Sequence, residues 1–126
     1  MPAEDPMKKK ILLAEDDGSM RRFVEITLQK ANYAVVSAED GLAAMQNAFS
    51  EPFDAVVADA MMPNLTGHDL CRMLRQNPQT KEIPFVILSG FEQNNSAENC
   101  LADAYLVKGT NLKDDLLDTL SRFLSK

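Results

Sequence analysis

The stretch "ILLAEDDGSM", residues 11–20, places a run of aliphatic residues directly before three acids, Glu15, Asp16 and Asp17. The apolar run is typical of a buried strand, and a segment with helical spacing begins near Gly18. Adjacent carboxylates repel one another, and crowding raises their pKa values unless a cation or a hydrogen-bond donor compensates. The stretch therefore predicts a strand-to-helix junction whose acids meet a positive group.

Four further apolar runs repeat this pattern along the chain. They are "AVVSA" (34–38), "DAVVAD" (54–59), "FVILS" (85–89) and "AYLV" (104–107), with segments of helical length between and after them. Strands this uniformly apolar are buried on both faces, which is typical of a parallel sheet covered by helices. The sequence therefore predicts an α/β fold made of five β-α repeats.

The helical segments carry their own boundary signals. Ser19 is the expected N-cap of the first helix, whose buried face we expect to contain Phe23, Thr27, Leu28 and Ala31. The second helix is expected to start at Asp40 or Gly41, and the third at Thr66 or Gly67. The segment "EQNNSAENCLADA" (92–104) is rich in Asn and Ser, which compete for backbone hydrogen bonds, so we expect a short or mobile fourth helix. An amphipathic fifth helix should end the domain.

Composition narrows the function classes. A chain of 126 residues is about one domain, and a net charge of −6 disfavours contacts with nucleic acid phosphates or anionic membranes. The two cysteines, Cys71 and Cys100, lie in no metal-binding pattern and suit free thiols in a reducing compartment. No apolar run approaches the roughly 20 residues that span a bilayer, and residues 1–10 lack the apolar centre of a signal peptide. We therefore expect a cytoplasmic protein with no nucleic acid or membrane partner.

The chemistry is expected at one edge of the sheet. In parallel α/β sheets, ligands bind beyond the carboxyl ends of the strands. That edge would collect Glu15 and Asp16, then Asp59, Ser89 and Lys108. Carboxylates without a nearby imidazole or thiolate suit Mg²⁺, and a carboxylate beside a metal and an ammonium can attack phosphorus. Asp59 is the best candidate nucleophile because it opens a Pro- and Gly-containing loop.

Four motifs in this order resemble the receiver domain of two-component response regulators. They are the acid pair after the first strand, "DAMMPNLTG" (59–67), "ILSG" (87–90) and "YLVK" (105–108). The resemblance implies a flavodoxin-like, doubly wound sheet of five parallel strands in the order 2-1-3-4-5 with five helices. It further implies an N-terminal extension over residues 1–7 and a receiver domain over residues 8–126.

The resemblance also implies roles for the acids. Asp59 would accept a phosphoryl group from the phosphohistidine of a sensor histidine kinase, from a phosphotransfer protein or from a small phosphodonor. Asp16, Asp59 and the backbone carbonyl of Met61 would bind Mg²⁺ (or Mn²⁺), while Glu15 would act through a metal-bound water. Asp17 is expected to be a solvated neighbour.

The remaining motif residues would form the switch. The ammonium of Lys108 would pair with the phosphoryl group, and the Ser89 hydroxyl would bond one of its oxygens. Tyr105 would turn inward when that hydroxyl moves. The fourth helix, the fifth strand and the last helix would form the surface that binds a downstream protein. The chemistry would be limited to self-phosphorylation and autodephosphorylation, so an enzyme acting on other substrates is not expected.

Two positions, Glu15 and Gly109, depart from the family pattern. Glu15 replaces the commoner Asp, but its longer side chain still reaches a metal-bound water. Gly109 replaces the usual Pro after Lys108, and a cis bond before a residue other than proline costs about 2.5–4 kcal/mol. We therefore expect a trans bond, a looser loop and a shifted Lys108 ammonium.

His68, the only histidine, is expected to be an exposed helix residue rather than a phosphocarrier.

Other functions stay open at this point. A Mg²⁺-dependent phosphohydrolase similar to the haloacid dehalogenases would place a second Asp two residues after the nucleophile, where this chain has Met61. A pseudo-receiver would bind proteins without accepting phosphate. The chain is either a stand-alone regulator or a receiver from a larger regulator or hybrid kinase.

Overall fold

The computed structural model describes residues 8–90 and 102–125, which contain five strands and four helices. In chain order these are β1 (Lys10–Ala14), α1 (Gly18–Lys30), β2 (Ala34–Ala38), α2 (Gly41–Ser50), β3 (Ala55–Asp59), α3 (Gly67–Arg75), β4 (Phe85–Ser89), β5 (Ala104–Val107) and α4 (Leu112–Leu124). Each strand coincides with one apolar run of the sequence to within one residue. The five strand predictions are therefore confirmed.

The strands form one parallel sheet in the order β2-β1-β3-β4-β5, as predicted. The direction in which strands are added reverses at β1, because β2 lies on one side of it and β3 to β5 lie on the other. In doubly wound sheets, the crevice that binds ligands lies beyond the carboxyl ends of the strands at such a reversal. The two strands that meet there are followed by Glu15 and ended by Asp59, respectively.

Successive residues of the central strands face two hydrophobic cores, one on each side of the sheet. The α2–α3 core contains Leu12, Val56 and Ile87 together with residues of α2 and α3. The α1–α4 core contains Ile11, Val57 and Leu88 together with residues of α1 and α4. Because both faces are buried, the strands read as continuous apolar runs rather than as an alternation of apolar and polar residues.

The starts of α2 and α3 follow the sequence signals. The Asp40 carboxylate accepts a hydrogen bond from the Ala43 N–H at 2.8 Å, so it caps α2. Thr66 and Asp69 form a reciprocal capping box at the start of α3. This box fixes the point at which the loop after Asp59 becomes helix.

Two details of α1 differ from expectation. The N-cap is Asp17, whose carboxylate accepts from the Met20 N–H at 2.7 Å, and the helix starts at Gly18. Ser19 therefore lies inside the first turn and cannot be the cap. Phe23 is 44% exposed, and Val24 takes its expected place in the α1–α4 core. Thr27 and Leu28 are buried as expected, whereas Ala31 is the exposed C-cap of α1.

Some predictions fall outside the described residues. These are the extension over residues 1–7 and nearly all of the fourth helix, so the domain limits and the count of five helices stay predictions. Among the helices of residues 8–90 and 102–125, none combines the length and apolar character needed to cross a bilayer.

Candidate functional site

Three carboxylates lie together at the carboxyl ends of β1 and β3. One oxygen from each of Glu15, Asp16 and Asp59 lies within 4.8 Å of the others. Glu15 and Asp59 are buried, whereas Asp16 is exposed. The two strands are paired neighbours, so sheet register alone brings acids that are more than 40 residues apart to one place. We call this group the carboxylate cluster.

The Lys108 ammonium lies beside two members of the carboxylate cluster. Its Nζ is 3.0 Å from Asp59 Oδ2 and 3.2 Å from Glu15 Oε1. Burial alone would lower the pKa of Lys108, but the hydrogen bond and charge of Asp59 and the charge of Glu15 together raise it. The ammonium is thus a positive group beside Glu15, the first of the three consecutive acids.

The peptide bond between Lys108 and Gly109 is trans, as expected. The looser loop and the shifted ammonium that Gly109 led us to expect stay predictions. The Lys108 N–H donates to the Ser89 carbonyl at 2.8 Å and so extends the pairing of β4 and β5 up to the lysine. The side chain therefore starts from a fixed point at the edge of the sheet.

Glu15 is held in an unusual environment for a carboxylate. It is fully buried, and its Oε1 accepts no hydrogen bond from the residues that the structure describes, although it forms the ion pair with Lys108. Burial, together with the neighbouring Asp59, raises the pKa of Glu15 to about 7. A buried oxygen with spare acceptor capacity beside two more carboxylates fits a hard divalent cation. The residues present therefore suit the metal that the sequence predicted.

The raised pKa of Glu15 predicts how stability depends on pH in metal-free protein. The unfolded chain loses the Glu15 proton near the ordinary value of 4.5, whereas the fold keeps it until about pH 7. Folding is thus favoured at low pH by the bound proton, and between pH 5 and 7 the free energy of unfolding should fall by about 2–3 kcal/mol. Urea unfolding in EDTA at several pH values measures this slope. Glu15→Gln should flatten it, and an identical slope in the variant would contradict the assignment.

The loop after β3 is tied back to the carboxyl end of the strand by backbone N–H groups. The Met61 N–H donates to Asp59 Oδ1 at 3.4 Å, and the Gly67 N–H donates to the Ala60 carbonyl at 3.1 Å. Between them, Asn64 has φ 73°, a left-handed conformation that Asn tolerates better than most residues. The Met61 side chain is 72% exposed, and the role of its carbonyl as a metal ligand stays a prediction.

Gly67 is required by the close approach of α3 to the end of β3. A Cβ added at Gly67 would lie 2.4 Å from the Asp59 carbonyl oxygen, which is backbone and cannot rotate away. Gly67→Ala should therefore destabilise the fold by about 1–3 kcal/mol and displace Asp59. Gly109→Ala is the matched control, because a Cβ there meets nothing within 4 Å. Thermal unfolding of both variants tests the prediction, and equal melting temperatures would contradict it.

Ser89 and Tyr105 lie on the α2–α3 face of the sheet. Ser89 ends β4 one residue beyond Leu88, the residue that pairs with Asp59, and it is half-buried. Tyr105 pairs with Ile87 and is half-buried against the α2–α3 core. Both residues stand close to the sheet edge that carries the carboxylate cluster, and their roles in switching stay predictions.

Residues 11–120 match the family model of the response regulator receiver domain. The chain belongs to that family. The resemblance seen in four sequence motifs is thereby confirmed.

Known relatives agree with this assignment. The response regulator ArlR of Staphylococcus epidermidis is 34% identical over 107 residues, which cover 82% of this receiver chain and 48% of ArlR. The receiver chain therefore spans about half the length of the curated relatives it matches. The structure of the chemotaxis response regulator CheY4 of Vibrio cholerae superposes with a TM-score of 0.86 at 33% identity, covering 94% of this chain and 100% of that one.

A second solved structure bears on the metal. It is the receiver domain of the sensor histidine kinase PA1611 from Pseudomonas aeruginosa, with a magnesium ion coordinated in its active-site cleft. It superposes with a TM-score of 0.85 at 27% identity, covering 94% of this chain and 99% of that one. Together these structures confirm the predicted receiver fold.

Sequence reasoning missed three contacts of this receiver domain. Asp17 is outside the carboxylate cluster and caps α1, a role that an Asp before a helical segment signals. Arg21 donates from Nη1 to the Glu15 carbonyl at 2.9 Å, and nothing in the sequence pattern points to that bond. His68 is half-buried rather than exposed, and its ring lies against Tyr105, which is distant in sequence.

Proposed function

We propose that this receiver domain is a phosphorylation-activated switch of a two-component or phosphorelay pathway, with Asp59 as the phosphoacceptor. The observation that carries the proposal is the position of the Asp59 carboxylate. It is nearly buried, lies 3.0 Å from the Lys108 ammonium and shares a cluster with Glu15 and Asp16. An isolated surface aspartate has none of these neighbours.

The arrangement suits phosphoryl transfer to a carboxylate. An Asp59 oxygen would attack phosphorus, the P–N bond of a phosphohistidine or the P–O bond of acetyl phosphate would break, and the leaving group would keep the electron pair. Lys108 would neutralise charge on the transferred oxygens. Asp16, Asp59 and the Met61 carbonyl would hold Mg²⁺ directly, with Glu15 acting through water, and the ion would supply Lewis-acid stabilisation of those oxygens.

The switch would use residues next to the site. Ser89 lies one position past the partner of Asp59 in β4, so its hydroxyl is well placed to respond to a phosphoryl group. Tyr105 pairs with Ile87, two residues before Ser89 in β4, and is only half-buried, so its ring would be able to change position. Phosphorylation would shift the equilibrium between two positions of Ser89 and Tyr105 only as far as the phosphoryl group interacts more favourably with one position than with the other.

The proposal extends to partners and location. The phosphodonor would be a sensor histidine kinase or a phosphotransfer protein, and a downstream protein would bind the surface that includes β5 and α4. The cytoplasm is the expected location, because the cysteine pattern suits a reducing compartment. We propose self-phosphorylation and autodephosphorylation rather than turnover of other substrates.

Incubation with acetyl phosphate and Mg²⁺, followed by intact-mass analysis, tests this function. We expect one added phosphoryl group per chain in the wild type and none in Asp59→Asn. Continuous release of phosphate, with many turnovers per chain, would indicate a phosphohydrolase. A wild type that stays unmodified while it still binds Mg²⁺ would indicate a protein-binding module that accepts no phosphate.

A further inference from the structure

The ring of His68 pairs with the ring of Tyr105. Their centroids are 6.1 Å apart and their planes are tilted by 33°, which lies within the range of favourable contacts between aromatic rings. Both side chains are half-buried, so the contact is partly shielded from water. His68 stands in the first turn of α3, and Tyr105 stands in β5, so the pair joins a helix to a strand 37 residues further along the chain.

The backbone at the start of α3 fixes where His68 stands relative to the phosphoacceptor. Gly67, its neighbour, lies so close to the Asp59 carbonyl that no Cβ fits between them, and the Gly67 N–H donates to the Ala60 carbonyl. The Thr66 capping box holds the same turn from the other side. Movement of the Asp59 loop therefore has to be accommodated at His68.

Tyr105 and Ser89 share the sheet face that His68 covers. Side chains alternate between faces along a strand, so Ser89 faces the same side as Ile87, which pairs with Tyr105. Tyr105 is thus linked to the region of Asp59 through two sets of neighbouring residues. One runs through Ser89 and β4, and the other runs through His68 and the Asp59 loop.

We infer that His68 is a positioning residue that stabilises the described position of the Tyr105 ring, and so sets how much phosphorylation is needed to move it. This inference rests on the proposed function, because it assumes that Tyr105 responds to a phosphoryl group. A conformational change that takes Tyr105 out of this position has to break the ring pair. Losing an aromatic pair changes an equilibrium by about two- to tenfold, so removing the His68 ring should make the switch easier to operate by that factor.

The composition of the chain makes the contact directly observable by NMR. The protein has one histidine and two tyrosines, and Tyr33→Phe assigns the remaining tyrosine signals to Tyr105. In the wild type, ring protons of His68 and Tyr105 should show a nuclear Overhauser effect. This measurement needs no substitution at His68, and its absence with both rings assigned would overturn the inference.

A second experiment tests the effect on switching. Beryllium fluoride is titrated into the protein in the presence of Mg²⁺, and the Tyr105 ring signals are followed by NMR. His68→Leu should lower the midpoint by about two- to tenfold. His68→Phe, which restores a ring, should return it close to the wild-type value, while Gln76→Ala, an exposed position at the other end of α3, should leave it unchanged. A midpoint in His68→Leu that is equal to or higher than that of the wild type would overturn the inference.

The two proposals fail in different ways. A normal wild-type response of Tyr105 that His68→Leu does not alter removes the role of His68 and leaves the switch intact. A Tyr105 signal that does not move at saturating beryllium fluoride removes both the tyrosine switch and the inference that depends on it.

Discussion

Asp16→Asn should weaken Mg²⁺ binding by at least about tenfold, the loss that is typical even of groups that only support a metal ligand. Asp17→Asn should weaken binding less, because Asp17 places no oxygen in the cluster and its exposed carboxylate acts on the ion through water. The two substitutions remove the same charge from neighbouring exposed residues. Only Asp16 belongs to the carboxylate cluster, whereas the Asp17 carboxylate is engaged in capping α1.

Calorimetric titration of Mg²⁺ into the three proteins measures this difference. Asn is as good an N-cap as Asp, so Asp17→Asn should also keep its melting temperature. Equal losses of affinity in the two variants would mean that Mg²⁺ binds to a diffuse acidic surface rather than to the cluster.

Lys108→Met should separate metal binding from phosphorylation. The ammonium lies 3.0 Å and 3.2 Å from oxygens of Asp59 and Glu15, so removing it eliminates a positive charge that competes with the metal. Mg²⁺ binding should tighten by roughly threefold or more. Phosphorylation by acetyl phosphate should slow by at least about 100-fold, since a group that stabilises developing charge on oxygen is lost.

Lys108→Arg is the matched control for that variant. It keeps the positive charge but presents a planar fork in place of a compact ammonium, so Mg²⁺ affinity should stay near the wild-type value while phosphorylation remains impaired. A Lys108→Met protein that accepts phosphate at the wild-type rate would remove Lys108 from the reaction. Weaker Mg²⁺ binding in that variant would show that the lysine organises the site instead of competing for it.

The sheet was predictable because each strand is marked by its own apolar run, and several motifs indicate the same strand order. Each central strand is apolar on both faces, and the strand order followed from motifs that together resemble one family. The first helix was harder to predict. Its cap and buried face depend on how the helix meets the sheet, and Val24 rather than Phe23 enters the α1–α4 core.

Part of the candidate site was also predictable from the sequence, and part was not. Glu15, Asp16, Asp59 and Lys108 could be placed together because strand ends of a parallel sheet meet at one edge. The hydrogen bond from the Lys108 N–H to the Ser89 carbonyl could not be predicted, since it is a property of strand pairing. The contact of His68 with Tyr105 depends on how α3 packs against the sheet, which no spacing along the chain reports.

The central claim is that the carboxylate cluster binds a divalent cation so that Asp59, and no other residue, accepts the phosphoryl group. Borohydride reduction after treatment with acetyl phosphate converts an aspartyl phosphate to homoserine, and peptide mass spectrometry then locates it. We expect homoserine at position 59 alone, formed when Mg²⁺ is present and lost when EDTA replaces it. Phosphate found on His68 or on another acid, or modification of Asp59 that proceeds equally well in EDTA, would contradict the account.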